Sequence, residues 1–150
     1  MAEIWDEQQL VADGFERVHV ELAWYDGPRE GIADVGGVPH YFLNHDFAPS
    51  DAGDEYRVWP ADEAVLALER EQWAIFAKWY ARNEAGTDAL GTQPGQGGVN
   101  PRYDELDLLL APHREAPDDA RRFIGELRFD ARARYRAEGV AYWFRWAPGR

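Results

Sequence analysis

Cysteine is absent from the 150 residues, and serine occurs once, at Ser50. Without cysteine the chain cannot form disulfides, thiolate-bound zinc sites or iron–sulfur clusters. The single serine lies outside any Gly-x-Ser-x-Gly motif, so a serine hydrolase is not expected. Residues 95–98 are glycine-rich, but no Gly-Lys-Ser/Thr follows them, as a phosphate-binding loop would require. These absences favour a protein that is not an enzyme without deciding the question, and no cofactor is expected.

Long apolar runs are also missing. No segment approaches the length that spans a bilayer. The first seven residues carry acidic charge and no apolar run, whereas a secretory signal begins with basic residues and an apolar stretch. Together with the absence of cysteine, these patterns predict a cytoplasmic protein.

Positive charge is scarce, because the net charge is −12 and Lys78 is the only lysine. Residues 117–150 hold eight arginines and five acidic residues, a net of +3, which leaves −15 for residues 1–116. A chain of this charge repels nucleic acid and anionic lipid and attracts cations or a basic protein. We expect the arginines to pair internally with acidic elements, and any partner to be a basic protein rather than nucleic acid or a membrane.

Residues 15–24 alternate between apolar and polar side chains, which predicts a half-buried strand. The apolar positions are Val18, Val20, Leu22 and Trp24, and those between them are His19, Glu21 and Ala23. Turn residues follow at 26–28 and at 36–37, which predicts further strands over residues 30–34 and 38–42. Residues 55–59 add a fourth strand that Pro60 ends, so the sequence predicts an antiparallel meander.

The clearest helix covers residues 62–83. Asp62 can cap it, and apolar residues recur at helical spacing along one face. Such a face suits a cover for the inner surface of the meander. A shorter helix is predicted over residues 103–110. The intervening residues 86–101 contain five Gly and two Pro, which indicates a loop.

The segment 118–137 fits two structures. As a helix it places Ala120, Ile124 and Leu127 on one face; as a strand from Phe129 it alternates, and residues 138–139 turn into a strand over 140–146. The predicted fold class is thus α+β: one domain over residues 1–150, with an antiparallel β-meander packed against one long amphipathic helix and a second C-terminal helix or hairpin.

The aromatic content points towards binding. The chain has seven each of Trp, Tyr and Phe, which is more aromatic side chains than a small core can bury completely. Some of them should therefore form a ligand pocket or a protein contact. The candidate ligand-binding residues are Trp24, Tyr25, Asp26, His40 and Tyr41.

A metal site, if present, would use the histidines and one acid: His19, His40, His45 and Asp46. However, His40 and His45 are five residues apart, which places them on opposite faces of a strand unless a bulge or turn intervenes. We therefore expect His40 to pack beside the Gly36-Gly37 turn, and no metal to bind.

Residues 25–34 and 37–42, followed by the tryptophan-rich helix around Trp73, resemble small bacterial proteins from high-GC soil organisms. The resemblance covers roughly the first half of the chain and brings no established activity. It implies that residues 26–28 and 39–40 belong to a recurring turn-and-strand unit.

The sequence best fits a small acidic bacterial protein that binds a basic protein partner, in the manner of an immunity or inhibitor protein. Its acidity, its aromatic content and its lack of catalytic motifs favour this function. Two alternatives remain open. One is a metal-binding protein or small hydrolase centred on His40, His45 and nearby acids, and the other is a small-ligand binder with an aromatic pocket.

Overall fold

A computed structural model describes residues 4–44, 54–84, 86 and 92–149. Its strands are β1 (Ile4–Trp5), β2 (Glu16–Trp24), β3 (Pro28–Val35), β4 (Val38–Leu43), β5 (Asp54–Pro60), β6 (Arg121–Asp130), β7 (Tyr135–Arg136), β8 (Gly139–Val140) and β9 (Tyr142–Pro148). Its helices are α1 (Glu7–Ala12), α2 (Glu63–Glu84) and α3 (Pro101–Leu110), with short 3-10 turns at Pro94–Gln96 and Ala111–Arg114.

The larger sheet closes on itself. Strands β2 to β6 pair antiparallel in chain order, and β9 pairs antiparallel with both β6 and β2. The predicted meander is therefore right for β2 to β5, but the predicted open sheet is wrong, since β9 joins its two ends into a six-stranded barrel. The mixed α and β class is confirmed. β1 adds to β6 in parallel, and β7 and β8 form a separate pair.

Aromatic rings fill the inside of this barrel. Phe42 of β4 lies 5.5 Å from Tyr56 and 5.1 Å from Phe144 of β9, between ring centroids. Two glycines make room for these rings. A Cβ on Gly31 would lie 2.8 Å from the Phe42 ring, and one on Gly125 would lie 2.7 Å from the Phe144 ring.

A bulge in β2 lets this strand contribute to both the inside and the outside of the barrel. Val18 pairs with Ala33, and Val20 pairs with Ile32, so the register shifts at His19. Because neighbouring residues of β3 point to opposite faces, Val18 and Val20 do so too. Val20 and Ile32 share the face of Tyr41, whose hydroxyl meets α2, so α2 covers the outside here. The predicted strict alternation of β2 is therefore wrong.

The helices largely match their predictions. α2 begins one residue after Asp62, whose Oδ1 accepts a hydrogen bond from the Val65 amide at 2.8 Å. α3 begins at Pro101, two residues before the predicted start, with Asn100 as its cap. None of the helices in the described part of the chain is long and apolar enough to cross a membrane.

The ambiguous C-terminal segment is extended. The helix alternative for residues 118–137 is wrong, because β6 runs from Arg121 to Asp130 and pairs with β9 over seven positions. The hairpin alternative is right only in part: β6 ends at Asp130, so the predicted strand does not continue through residues 131–134. The turn at residues 138–139 connects β7 with β8, whereas β6 itself pairs with β9. Of the predicted loop at 86–101, residue 86 and residues 92–100 are described and contain only the short turn Pro94–Gln96; residues 87–91 lie outside the described part.

The C-terminal arginines pair within the molecule, as their charge predicts. Arg128 lies 3.3 Å from Asp13, Arg134 lies 3.4 Å from Glu21, and Arg145 lies 2.7 Å from Glu126. Several of these partners come from the acidic first part of the chain. The positive charge of residues 117–150 is therefore largely matched by internal carboxylates.

Candidate functional site

A cleft of about 250 Å³ opens between β2, α2 and the segment that leads into α3. Glu21 and Trp24 reach it from β2, Trp73 and Phe76 from α2, and Tyr103 from α3. Four of the ten described lining residues are aromatic, and Glu21, Gln72 and Gln93 contribute polar groups. Concave surfaces that combine apolar and aromatic side chains with fixed polar groups are typical of ligand sites.

Glu21 places a buried carboxylate at this cleft. Its side chain is only 8% exposed and lies 3.4 Å from the guanidinium of Arg134. The hydroxyl of Tyr135 donates to Oε2 at 2.6 Å, and that of Tyr142 donates to Oε1 at 2.8 Å. Three donors therefore hold this carboxylate in place, which is ample compensation for its burial.

The two tyrosines are strong, permanent donors to Glu21. Burial raises the pKa of Tyr142 well above its ordinary value, and the charge of Glu21 and the hydrogen bond to it raise this pKa further. The pKa of Tyr135 is raised by the same causes. Both hydroxyls therefore stay protonated at neutral pH and hold the Glu21 carboxylate in one orientation.

Trp24 stands beside this carboxylate with its ring fixed by a cation. The guanidinium carbon of Arg134 lies 3.9 Å from the centroid of the Trp24 ring, which also packs against Tyr142 at 5.5 Å. The Nε of Arg134 is buried and has no hydrogen-bond partner among the described residues, so aromatic rings hold much of this guanidinium. Trp24 nevertheless remains partly exposed at the cleft.

A buried polar network fixes the wall formed by α3. The side-chain amide of Gln72 donates to the Tyr103 carbonyl at 3.0 Å and to Asp107 at 2.7 Å. Its oxygen accepts from Arg114 at 2.6 Å. Since Gln72 and Tyr103 both line the cleft, these hydrogen bonds connect α2 to α3 at its wall.

Both ring nitrogens of His19 form hydrogen bonds. Its Nδ1 accepts from Arg70 of α2 at 3.0 Å, and its Nε2 therefore carries the proton and donates to Asp34 at 2.8 Å. His40 lies on β4 and donates from Nδ1 to the Val38 carbonyl at 2.7 Å, beside the Gly36-Gly37 turn as expected.

The residues predicted for a metal site do not come together in the described part of the chain. Within residues 4–44, 54–84, 86 and 92–149, no three His, Asp or Glu side chains group as metal ligands do. His45 and Asp46 lie outside the described residues, so a site that includes them stays a prediction.

Of the five predicted ligand residues, Trp24 alone lines the cleft. Tyr25 and Asp26 form the turn after it, where both carbonyls accept from Arg29. His40 and Tyr41 lie elsewhere: Trp24 pairs with Pro28 at the start of β3, whereas His40 pairs with Ala33 near its end. Tyr41 is buried and donates to Glu69 at 2.6 Å.

Sequence reasoning missed Glu21 and its partners. Glu21 occupies a polar position of the alternating pattern of β2, and this alternation assigned it to solvent. Arg134 and Tyr135 lie in the segment that fitted both a helix and a hairpin, so their place beside Glu21 had no local signal.

No protein-family model, no curated protein and no solved structure matches this chain. Its function is therefore inferred from its own residues. None of the described residues that line the cleft is a serine, threonine, lysine or histidine. The cleft thus offers aromatic surface, a carboxylate and amides.

Proposed function

We propose that the protein binds a small ring-shaped ligand in the Glu21 cleft without transforming it. One observation supports this above all: a carboxylate fixed by two tyrosines and an arginine lies in the lining of a cleft beside an exposed tryptophan.

The lining defines the chemistry of the ligand. It carries an N–H or O–H group that donates to Glu21, and a flat apolar face that packs on Trp24. The cleft, at about 250 Å³, lies below the roughly 300–1,000 Å³ of sites for drug-sized molecules, so the ligand is small. Single heterocycles and pyranose sugars have this combination of donors, flat faces and size.

Two neighbouring aromatic residues provide a matched test. Trp24 lines the cleft, whereas Tyr25 is 66% exposed and does not. Calorimetric titration with nucleobases, pterins and monosaccharides should identify a ligand that binds wild type and Tyr25→Leu alike. Trp24→Leu should bind the same compound about tenfold more weakly, because a stacking face is lost.

The carboxylate is tested separately. Glu21→Gln keeps the shape of the side chain but weakens it as an acceptor, so it should also lower the affinity for the same compound. If every panel compound fails to bind wild type, or binds all variants equally, the cleft is not a ligand site.

A basic protein partner is a second candidate function, and it is the one that the charge of the sequence favours. The supporting observation is a pair of exposed leucines, Leu108 and Leu109, within an acidic stretch of chain. An apolar pair surrounded by carboxylates is typical of a surface that meets a basic amphipathic segment. Binding to such a segment should weaken as salt is added.

A further inference from the structure

The outer face of α3 exposes apolar surface that the fold does not use. Leu108 is 80% exposed and Leu109 is 50% exposed, while Leu106 and Leu110 are completely buried and attach the helix to the core. Ala111 and Pro112 continue the exposed apolar stretch into the next turn. Because other side chains anchor α3, the two exposed leucines are free to contact another molecule.

A groove of about 240 Å³ begins where this apolar stretch ends. Pro112 lines it together with Trp59 and two carboxylate residues, Asp62 and Glu115. The groove therefore combines an aromatic wall with negative charge. A lysine or arginine side chain suits it, because the methylene stem can lie against the exposed Pro112 while the cation meets a carboxylate.

The stretch of chain that contains the leucines is acidic. Residues 101–119 contain six acidic residues and two arginines, a net of −4. Both arginines are used internally: Arg102 binds Glu71 and Glu105, and Arg114 binds Glu69 and Asp107. Three of the acids, Glu115, Asp118 and Asp119, form no ion pair within the described residues.

We propose that Leu108, Leu109 and the Trp59–Glu115 groove form a docking surface for a basic amphipathic segment of a partner protein. The apolar face of the segment covers the leucines, and one of its lysines or arginines enters the groove. The same surface on a second copy of this chain does not fit, because two acidic surfaces would face each other. This inference rests on the second candidate function and is independent of ligand binding in the Glu21 cleft.

Two labelled peptides of identical composition test the surface. In one, lysines and leucines occupy opposite faces of a helix; in the other, the same residues are scrambled. Fluorescence anisotropy at low salt should show tighter binding of the amphipathic peptide to wild type. Leu108→Ser/Leu109→Ser should weaken this binding about tenfold, since it removes apolar contact and leaves every charge in place.

The control is Val11→Ser, which changes a residue that is 60% exposed on α1 and should leave binding unchanged. Thermal unfolding verifies that the serine variants remain folded. Equal affinity for both peptides, or for both serine variants, overturns the docking surface but keeps an acidic partner-binding function. If wild type binds neither peptide at low salt, the surface and the second candidate function both fail.

Discussion

Glu69 of α2 and Arg114 of the turn after α3 form a two-pronged ion pair across the interior of the molecule. The Nε of Arg114 lies 2.9 Å from Oε2 of Glu69, and its Nη2 lies 2.7 Å from Oε1. Glu69 is completely buried and also accepts from Tyr41 of the barrel. Burial opposes the charge of Arg114, but Glu69 and Asp107 raise its pKa above the ordinary value. One carboxylate thus connects the barrel, α2 and the α3 region.

Removing the charge of Glu69 should lower the free energy of unfolding. Glu69→Gln leaves Arg114 without its main partner, and breaking a buried pair costs about 3–5 kcal/mol of the free energy of unfolding. Urea unfolding measures this loss. The control is Glu71→Gln on the same helix, which breaks an exposed pair with Arg102 and should change stability little. Equal losses in the two variants would contradict a special role for the buried pair.

Asp130 should make stability depend on acid pH. Burial raises its pKa, but the hydrogen bonds from Trp143 and the Arg132 amide, with the charge of Arg136, lower it below the ordinary value. Because the native pKa is the lower one, the stabilisation is present at neutral pH. It is lost as the pH falls below about 4, the unfolded value, and through the native pKa.

Asp130→Asn should therefore lower stability at pH 7 and flatten the fall in stability towards acid. Chemical unfolding across a pH series measures both effects. Asp118→Asn, at an exposed site without an ion pair among the described residues, should leave the profile as in wild type. An Asp130→Asn profile parallel to that of wild type would refute this assignment.

Alkaline unfolding should be coupled to tyrosine ionisation. Burial is the first cause that raises the pKa of Tyr41, Tyr56, Tyr135 and Tyr142. Since the native pKa values exceed the unfolded value of about 10, stability is lost as the pH rises above that value. Tyrosinate absorbance and circular dichroism should change together. Tyr56→Phe should reduce the coupled absorbance step, whereas ionisation without unfolding would contradict the prediction.

Gly125 should tolerate no side chain. A Cβ there would lie 2.7 Å from the Phe144 ring inside the barrel, so Gly125→Ala should cost about 1–3 kcal/mol through overpacking. Gly95 has no atom closer than Tyr103 Oη at 3.8 Å, which makes Gly95→Ala the matched control with little effect. Thermal unfolding compares the two, and similar melting temperatures would argue against a tightly filled barrel.

The sequence predicts β2 to β5 and α2 well because their signals are local. Turn residues at 26–28 and 36–37 separate the strands, and Asp62 marks the helix start. Barrel closure has no such signal. It depends on β9 meeting both β6 and β2, and no local pattern specifies pairing between distant segments.

β6 remained ambiguous because both of its faces are partly covered. Leu127 pairs with Phe144 towards the barrel, while the guanidinium of Arg128 lies over the rings of Trp5 and Phe15 on the other side. Arginines that pack on aromatic rings behave as partly buried residues. The alternation of buried apolar and exposed polar residues that indicates a strand is therefore weakened.

The candidate cleft was predicted only through Trp24. The alternation of β2 assigned Glu21 to solvent, but the strand shifts register between Val18 and Val20 and again between Glu21 and Ala23. Bulges of this kind change which residues share a face, and the strand contains no turn residue that would predict them.

The short junction between β2 and β9 should determine the order in which the parts of the barrel fold. β3 and β4 pair at six positions through a tight turn, whereas β2 and β9 pair at two, Glu16 with Phe144 and Arg17 with Trp143. A nearby contact, Arg145 to Asp13, joins residues 132 positions apart. Bringing such distant segments together carries a large entropic cost before any contact rewards it. The meander should therefore form early, and the junction should be the last part to close during folding and the first to separate when the protein unfolds.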